Sequence, residues 1–140
     1  MDQPIKNLWD LRRDILAIES DDLAKRFPDD VSVRYNAGLW MLDAYEYEDA
    51  AVHLRAATKS QLLPESLRGA AFYNLGLALL LSGHAAEAEG SLRAALEQTQ
   101  PDLRAYCQLS EVYSQTKRFE EAARAEASCL SRAPNEKSEQ

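Results

Sequence analysis

Positive charge is what this chain has too little of. Its 16 Lys and Arg are outnumbered by 23 Asp and Glu, which leaves a net charge of −7. Phosphate-rich ligands need a basic surface, so nucleic acid is not expected as a partner, nor is a polybasic membrane anchor. Long apolar runs are also missing. The longest, Leu75 to Leu81, falls well short of the roughly 20 residues of a membrane span, and Gly76 interrupts it, so membrane insertion is not expected. The opening stretch Met1 to Leu8 has no apolar core followed by a small-residue cleavage site, which argues against a secretory signal. Cysteine is down to two, Cys107 and Cys129, which form neither a metal-ligand spacing nor a disulfide framework. The expectation is reduced thiols in a cytoplasmic protein.

Catalytic equipment is equally sparse. His53 and His84 are the only histidines, and no spacing brings either to a nucleophile. Both are expected to be solvated, and the chain to be no enzyme, with no cofactor and no metal. Asp43, Glu46, Glu48 and Asp49 crowd one turn, but calcium needs a tighter loop with glycine at its bend, and Tyr45 and Tyr47 interrupt this one. These acids instead favour the start of the helix that follows.

What the chain does have is ordinary globular composition and helical periodicity nearly end to end. With 46% hydrophobic and 28% charged residues, the composition fits one folded domain rather than disorder. Apolar residues recur at three- and four-residue intervals, as in Phe72, Leu75, Leu79 and again in Leu92, Ala95, Leu96. Breaks fall at Pro28-Asp29-Asp30, Pro64, Ser82-Gly83-His84, Pro101-Asp102 and Pro134-Asn135. Gly83 suits a left-handed helix end, and Pro101 suits the opening of the next helix. Seven helical segments are predicted. The first covers about 5–26, with a break at Ser20 whose hydroxyl could cap a second piece. Three antiparallel pairs follow, at about 31–44 with 47–60, 66–82 with 85–98, and 102–115 with 119–132.

A small-residue signature recurs three times within these pairs. It reads Ala37-Gly38 … Ala50 … Leu54 … Ala57, then Leu75-Gly76 … Ala88 … Leu92 … Ala95, then Leu109-Ser110 … Ala122 … Glu126 … Cys129. The leading alanines step by 38 residues (50 to 88) and then by 34 (88 to 122). A fixed period in this range marks a helical repeat array. Facing small residues let two helix backbones approach closely, and each hairpin needs neighbours to cover its other side.

With Tyr47 and Phe119 before second helices, Phe72 and Tyr106 early in first helices, and Pro134 at the close, this pattern resembles the tetratricopeptide repeat (TPR) family. Arg34 stands where Phe72 and Tyr106 stand, four extra residues precede the second repeat, and Glu126 replaces a large apolar residue. The last change suits an outward-facing terminal helix. The resemblance implies an all-α fold, a right-handed helical-hairpin solenoid of three repeats with an N-terminal cap. It forms a single domain over 1–134: cap 1–28, repeats 31–64, 69–101 and 103–134, and a flexible tail at 135–140. It also implies a non-enzymatic adaptor or scaffold that holds a peptide or helix of another protein in a concave groove. The groove set carried over is Tyr35, Asn36, Leu39, Tyr73, Asn74, Leu77, Arg104, Gln108 and Glu111, with Ser32, Asp43, Ala70, Leu81, Cys107 and Gln115 beside them. Asn36, Asn74 and Gln108 would form a ladder of amides able to pair with an extended peptide, and Tyr35 and Tyr73 would add flat amphipathic surface. The carboxylate clamp of heat-shock co-chaperones does not fit, because Tyr35 and Leu39 fill its first two places and Gln108 its last.

The alternative reading is a cytoplasmic chaperone for a secreted protein, because the layout resembles type III secretion translocator chaperones. The N-terminal stripe Leu8, Leu11, Ile15, Ile18 is expected either to cap the first repeat or to pair with a second copy as a homodimer.

Overall fold

A computed structural model describes residues 7–132. Seven α-helices and no strand occur among the described residues: α1 (Leu8–Arg26), α2 (Val31–Asp43), α3 (Tyr47–Lys59), α4 (Glu65–Leu81), α5 (Ala85–Glu97), α6 (Ala105–Gln115) and α7 (Phe119–Arg132). The expected start of the first helix near residue 5, the close at Pro134 and the tail 135–140 lie outside the described residues. Successive helices pack as antiparallel hairpins, α2 on α3, α4 on α5 and α6 on α7, and each hairpin stacks on the next. This is a TPR-like helical-hairpin solenoid.

Side-chain caps start the first two helices. Asn7 Oδ1 accepts from Asp10 N at 2.9 Å, and Asp30 Oδ1 accepts from Val33 N at 3.2 Å, each satisfying an amide that has no partner within its helix. Two local expectations are corrected. Helix α1 runs unbroken through Ser20, because the apolar and charged run around it sustains the helix and Asn7 provides the cap. Helix α6 opens at Ala105 rather than near Pro101, since Asp102 first forms a tight turn with Arg104 N accepted by its Oδ1 at 3.1 Å.

The repeated glycines are notches. A Cβ built on Gly38 would lie 2.5 Å from Leu54 Cγ, and one on Gly76 would lie 2.6 Å from Leu92 Cγ. Leu54 and Leu92 are fully buried in those notches, which converts a missing side chain into close helix packing. A second element also repeats. Tyr45, Gly83 and Lys117 all have positive φ (65°, 88° and 60°). Each precedes an amide that bonds back across the turn: Glu46 N to Met41 O, His84 N to Leu79 O, and Arg118 N to Tyr113 O. Only Gly83 adopts that conformation at little cost. The insertion before the second repeat is tied down as well. Leu63 is buried in it, and the Arg68 guanidinium donates to the carbonyls of Thr58 and Ser60 at 3.1 Å each, closing the end of α3.

Helix α1 carries a fourth copy of the second-helix spacing, which the sequence reading overlooked. Ala17, Asp21 and Ala24 stand 33 residues before Ala50, Leu54 and Ala57. Ala17 and Ala24 are buried against the array, so α1 occupies the place of a second helix ahead of α2. The predicted capping stripe is therefore corrected. Leu8, Leu11, Ile15 and Ile18 remain between 47% and 79% exposed, because the alanines, not the large residues, face inward.

Candidate functional site

First helices α2, α4 and α6 lie side by side, and their shared face carries the predicted groove residues. Between α2 and α4 is a recess of about 330 Å³ lined by Leu39, Leu42, Leu77 and Leu81, with Asp43, Asn74, Tyr45 and Tyr47 completing its wall. Leu39 and Leu77 were predicted for the groove. Leu81 and Asp43 were placed beside them, but Leu42 was not, although it stands three residues after Leu39 on the same helix. Tyr45 and Tyr47 were assigned to the turn alone. Asn36 and Glu111 are exposed, and Gln108 is half-buried. Glu111 Oε1 accepts from Gln115 Nε2 at 3.1 Å.

The aromatic and amide pair at the centre is more engaged than expected. Tyr73 is only 8% exposed and forms part of the core. The Arg104 guanidinium lies over its ring, 4.2 Å from the centroid, a cation–π contact that covers the surface expected to be open. Asn74 Nδ2 donates to Ala70 O at 2.9 Å, so its amide is partly spent on its own helix. The amide ladder is therefore uneven, with Asn36 standing open and Asn74 partly engaged.

Arg104 is itself held. Its Nε and Nη2 donate to the two Asp102 oxygens at 2.9 and 2.6 Å, a bidentate fork that fixes the guanidinium plane over Tyr73. Those hydrogen bonds raise the Arg104 pKa. Burial pushes the Asp102 carboxyl upward, but the guanidinium outweighs it and holds the group below the ordinary carboxylate range. Burial also raises the Tyr35 phenol, against the opposing pull of Arg104 and Asn74. Arg104 thus neutralises Asp102, which leaves Asp43 and Glu111 as the acids of the concave face.

The residues considered for catalysis are dispersed or occupied. His84 is exposed in a turn. His53, expected to be solvated, is instead 3% exposed. Its Nε2 meets Asp21 Oδ1 at 2.7 Å and its Nδ1 meets Arg34 Nη1 at 3.2 Å. A guanidinium only donates and a carboxylate only accepts, so the imidazole bridges them by donating from Nε2 and accepting at Nδ1. Arg34, which departs from the aromatic of the other repeats, has its explanation here: it joins α2 through His53 to α1. Cys107 and Cys129, expected as reduced thiols, are joined as a disulfide, because close packing of α6 on α7 brings their Cα atoms to 4.9 Å. Among the described residues no three His, Cys, Asp or Glu side chains cluster as metal ligands, and no helix is long and apolar enough to cross a membrane.

A larger depression, about 410 Å³, lies elsewhere, between α5 and α7 with Tyr106, Leu109 and Tyr113 of α6 as its floor. Arg93, Glu121 and Arg124 surround it, and Arg93 Nη2 reaches Tyr113 Oη at 3.1 Å.

Comparison with known proteins agrees with the geometry. Residues 103–136 match the family described as tetratricopeptide repeat, a span that covers α6 and α7. The fold is similar to that in the crystal structure of MamA, with a TM-score of 0.71 and 22% sequence identity over 84% of this chain and 67% of that one. None of the curated proteins matches the chain by sequence. Together the repeat match over 103–136 and the shared fold support a tetratricopeptide-repeat-like helical-hairpin solenoid.

Proposed function

We propose that this tetratricopeptide-repeat-like chain is an adaptor that seats a peptide segment or a helix of a partner protein on the concave face of α2, α4 and α6. The observation that carries this reading is the recess between α2 and α4. Four leucines line it, and carboxylate, amide and phenol groups stand at its wall. An apolar pocket with a few convergent polar groups is the usual form of a specific binding site. Asp43 and Glu111 give the face an acidic character, which suits a segment combining an apolar anchor with basic residues. Asn36, Leu39, Leu77 and Gln108 contribute exposed or half-buried surface, and the exposed Arg104 lies over the buried Tyr73 ring.

Photo-crosslinking tests the assignment. A photoreactive residue placed at Asn36 or at Leu81 should capture the partner in the source cell, and one at the exposed Val52 of α3 should not. Adducts confined to Val52 would move recognition off the concave face. A second surface is favoured by the bare stripe Leu8, Leu11, Ile15 and Ile18, since contiguous exposed apolar residues mark interaction sites. A second copy of the chain is the simplest partner for it, and adducts at Ile15 between two copies would identify that homodimer. The chaperone reading rests on layout and on a reducing cytoplasm, and the disulfide in α6–α7 weighs against that compartment.

A further inference from the structure

We infer that Cys107–Cys129 is a redox site at which a dithiol reductant loosens the terminal hairpin and, with it, one end of the concave face. Four observations on the page lead there. The first two hairpins are closed by Leu54 in the Gly38 notch and Leu92 in the Gly76 notch. In the third hairpin the equivalent residues are Ser110 and Glu126, and Glu126 is exposed, so the apolar lock is absent there. The disulfide joins the same two helices one turn away from that missing lock. Finally, Cys107 is exposed and Cys129 half-buried, so a reductant has access to the bond.

The chemistry is thiol–disulfide exchange. A thiolate of the dithiol attacks the exposed Cys107 sulfur, the Cys107–Cys129 bond breaks, and Cys129 leaves as a thiolate that takes up a proton. The second thiol of the reductant then displaces Cys107 from the mixed disulfide. Two electrons pass to the protein, both cysteines end as thiols, and the reductant leaves as its own disulfide. A solenoid is held only by neighbouring contacts, so its terminal hairpin opens without unfolding the rest. Gln108 and Glu111 ride on α6, and Arg104 precedes it, so the α6 end of the groove opens with it.

Hydrogen exchange of the full chain, with and without dithiothreitol, tests this. Alkylation of the denatured protein should add nothing before reduction and modify both cysteines after it. Closing a loop of 22 residues restricts the open state by roughly three hundredfold. Amide exchange across 105–132 should therefore accelerate by about that factor on reduction, while 47–59 stays unchanged, and re-oxidation with oxidised glutathione should restore protection. The variant Cys107→Ser/Cys129→Ser should exchange fast in 105–132 whether or not dithiothreitol is present. Alkylation before reduction in protein made under oxidising conditions would overturn the inference. So would complete reduction with no change in 105–132, or acceleration spread evenly along the chain.

Discussion

In the α4–α5 hairpin Leu92 fills the notch over Gly76 and is fully buried, whereas in α6–α7 the corresponding pair is Ser110 and an exposed Glu126. The first hairpin is covered on both sides by its neighbours. Among the described residues the second has one covered side, and its outer helix carries polar groups in place of the apolar lock. At the level of the missing lock its closure is covalent instead. Cys107 is bonded to Cys129, while the Arg118 guanidinium, in the α6–α7 turn, ties the hairpin to α5 by donating to both Glu89 oxygens at 2.8 Å and bonds Glu121 of α7 at 3.0 and 2.5 Å. The same backbone shape is thus reached by different chemistry, chosen by whether a neighbour covers the helix.

Leu92→Ala against Glu126→Ala breaks the comparison most sharply. Emptying the Gly76 notch should cost about 2–5 kcal/mol, the range for truncating a buried leucine. The Glu126 change should stay within about 0.5 kcal/mol, as for exposed positions. Gly76→Ala should destabilise alone, yet combine with Leu92→Ala less than additively, because the two side chains compete for one space. Urea unfolding of the four proteins measures this, and full additivity would mean that the notch and the leucine do not share a contact.

Overfilling sharpens the same point with a smaller effect. Ala88 is fully buried beside Gly76, and Ala86 is exposed. Ala88→Leu should cost about 1–3 kcal/mol and Ala86→Leu almost nothing, read as a difference in thermal midpoint.

The opposite end of the array tests whether polar closure is a general feature of terminal helices. Asp21 of α1 takes the place of Leu54 and Leu92, and it reaches His53 across to α3. Asp21→Ala should cost about 1–3 kcal/mol, because His53 and Arg34 lose the acceptor that completes their chain. Burial raises the Asp21 carboxyl, but hydrogen bonds from Lys25 and His53 outweigh it and leave the pKa below its ordinary 3.8. Asp102 is lowered likewise by Arg104. A carboxyl lowered in the folded state contributes stability that is complete above its unfolded pKa and is lost as pH falls through the folded one. The loss should therefore fall below about pH 3.8. In Asp21→Asn the Asp21 share of that acid loss should vanish, which parallel acid titrations followed by circular dichroism would resolve.

The hairpins were legible because their signal is periodic: small residues at fixed spacing place Gly38 against Ala50 and Leu54 whatever the surroundings. Helix ends came within a residue or so wherever the turn chemistry was local, and missed at Pro101, where Asp102 forms a turn of its own. The groove was legible as a face but not as a surface. Position along α4 assigns Tyr73 to it, yet nothing local reveals that Arg104, held by Asp102, covers the ring. His53 and Arg34 read as solvated or out of place because their explanation lies on α1. The α1 register itself was hidden because it has Asp21 where leucine was sought. The disulfide escaped for a similar reason: a separation of 22 residues fits no framework until the hairpin is folded.

The smallest effect concerns the three equivalent turns. Tyr45, Gly83 and Lys117 share the left-handed conformation, but a residue with a Cβ pays about 1–2 kcal/mol for it. Replacing Lys117 by glycine relieves that strain and gives back about 0.4–1 kcal/mol through the freer unfolded chain. The net expectation for Lys117→Gly is a gain of about 0.5–1 kcal/mol. Gly83→Ala should move the other way by a similar amount, even though no atom lies within 4 Å of the added Cβ, because the cost is in the backbone and not in packing. Tyr45 differs from Lys117 in one respect: the Arg13 guanidinium stacks on its ring, 4.9 Å from the centroid. Tyr45→Gly would lose that contact with α1 and should therefore gain less than Lys117→Gly, or nothing. Thermal midpoints of the three variants rank them, and a stabilised Gly83→Ala would show that the turns do not share one backbone requirement.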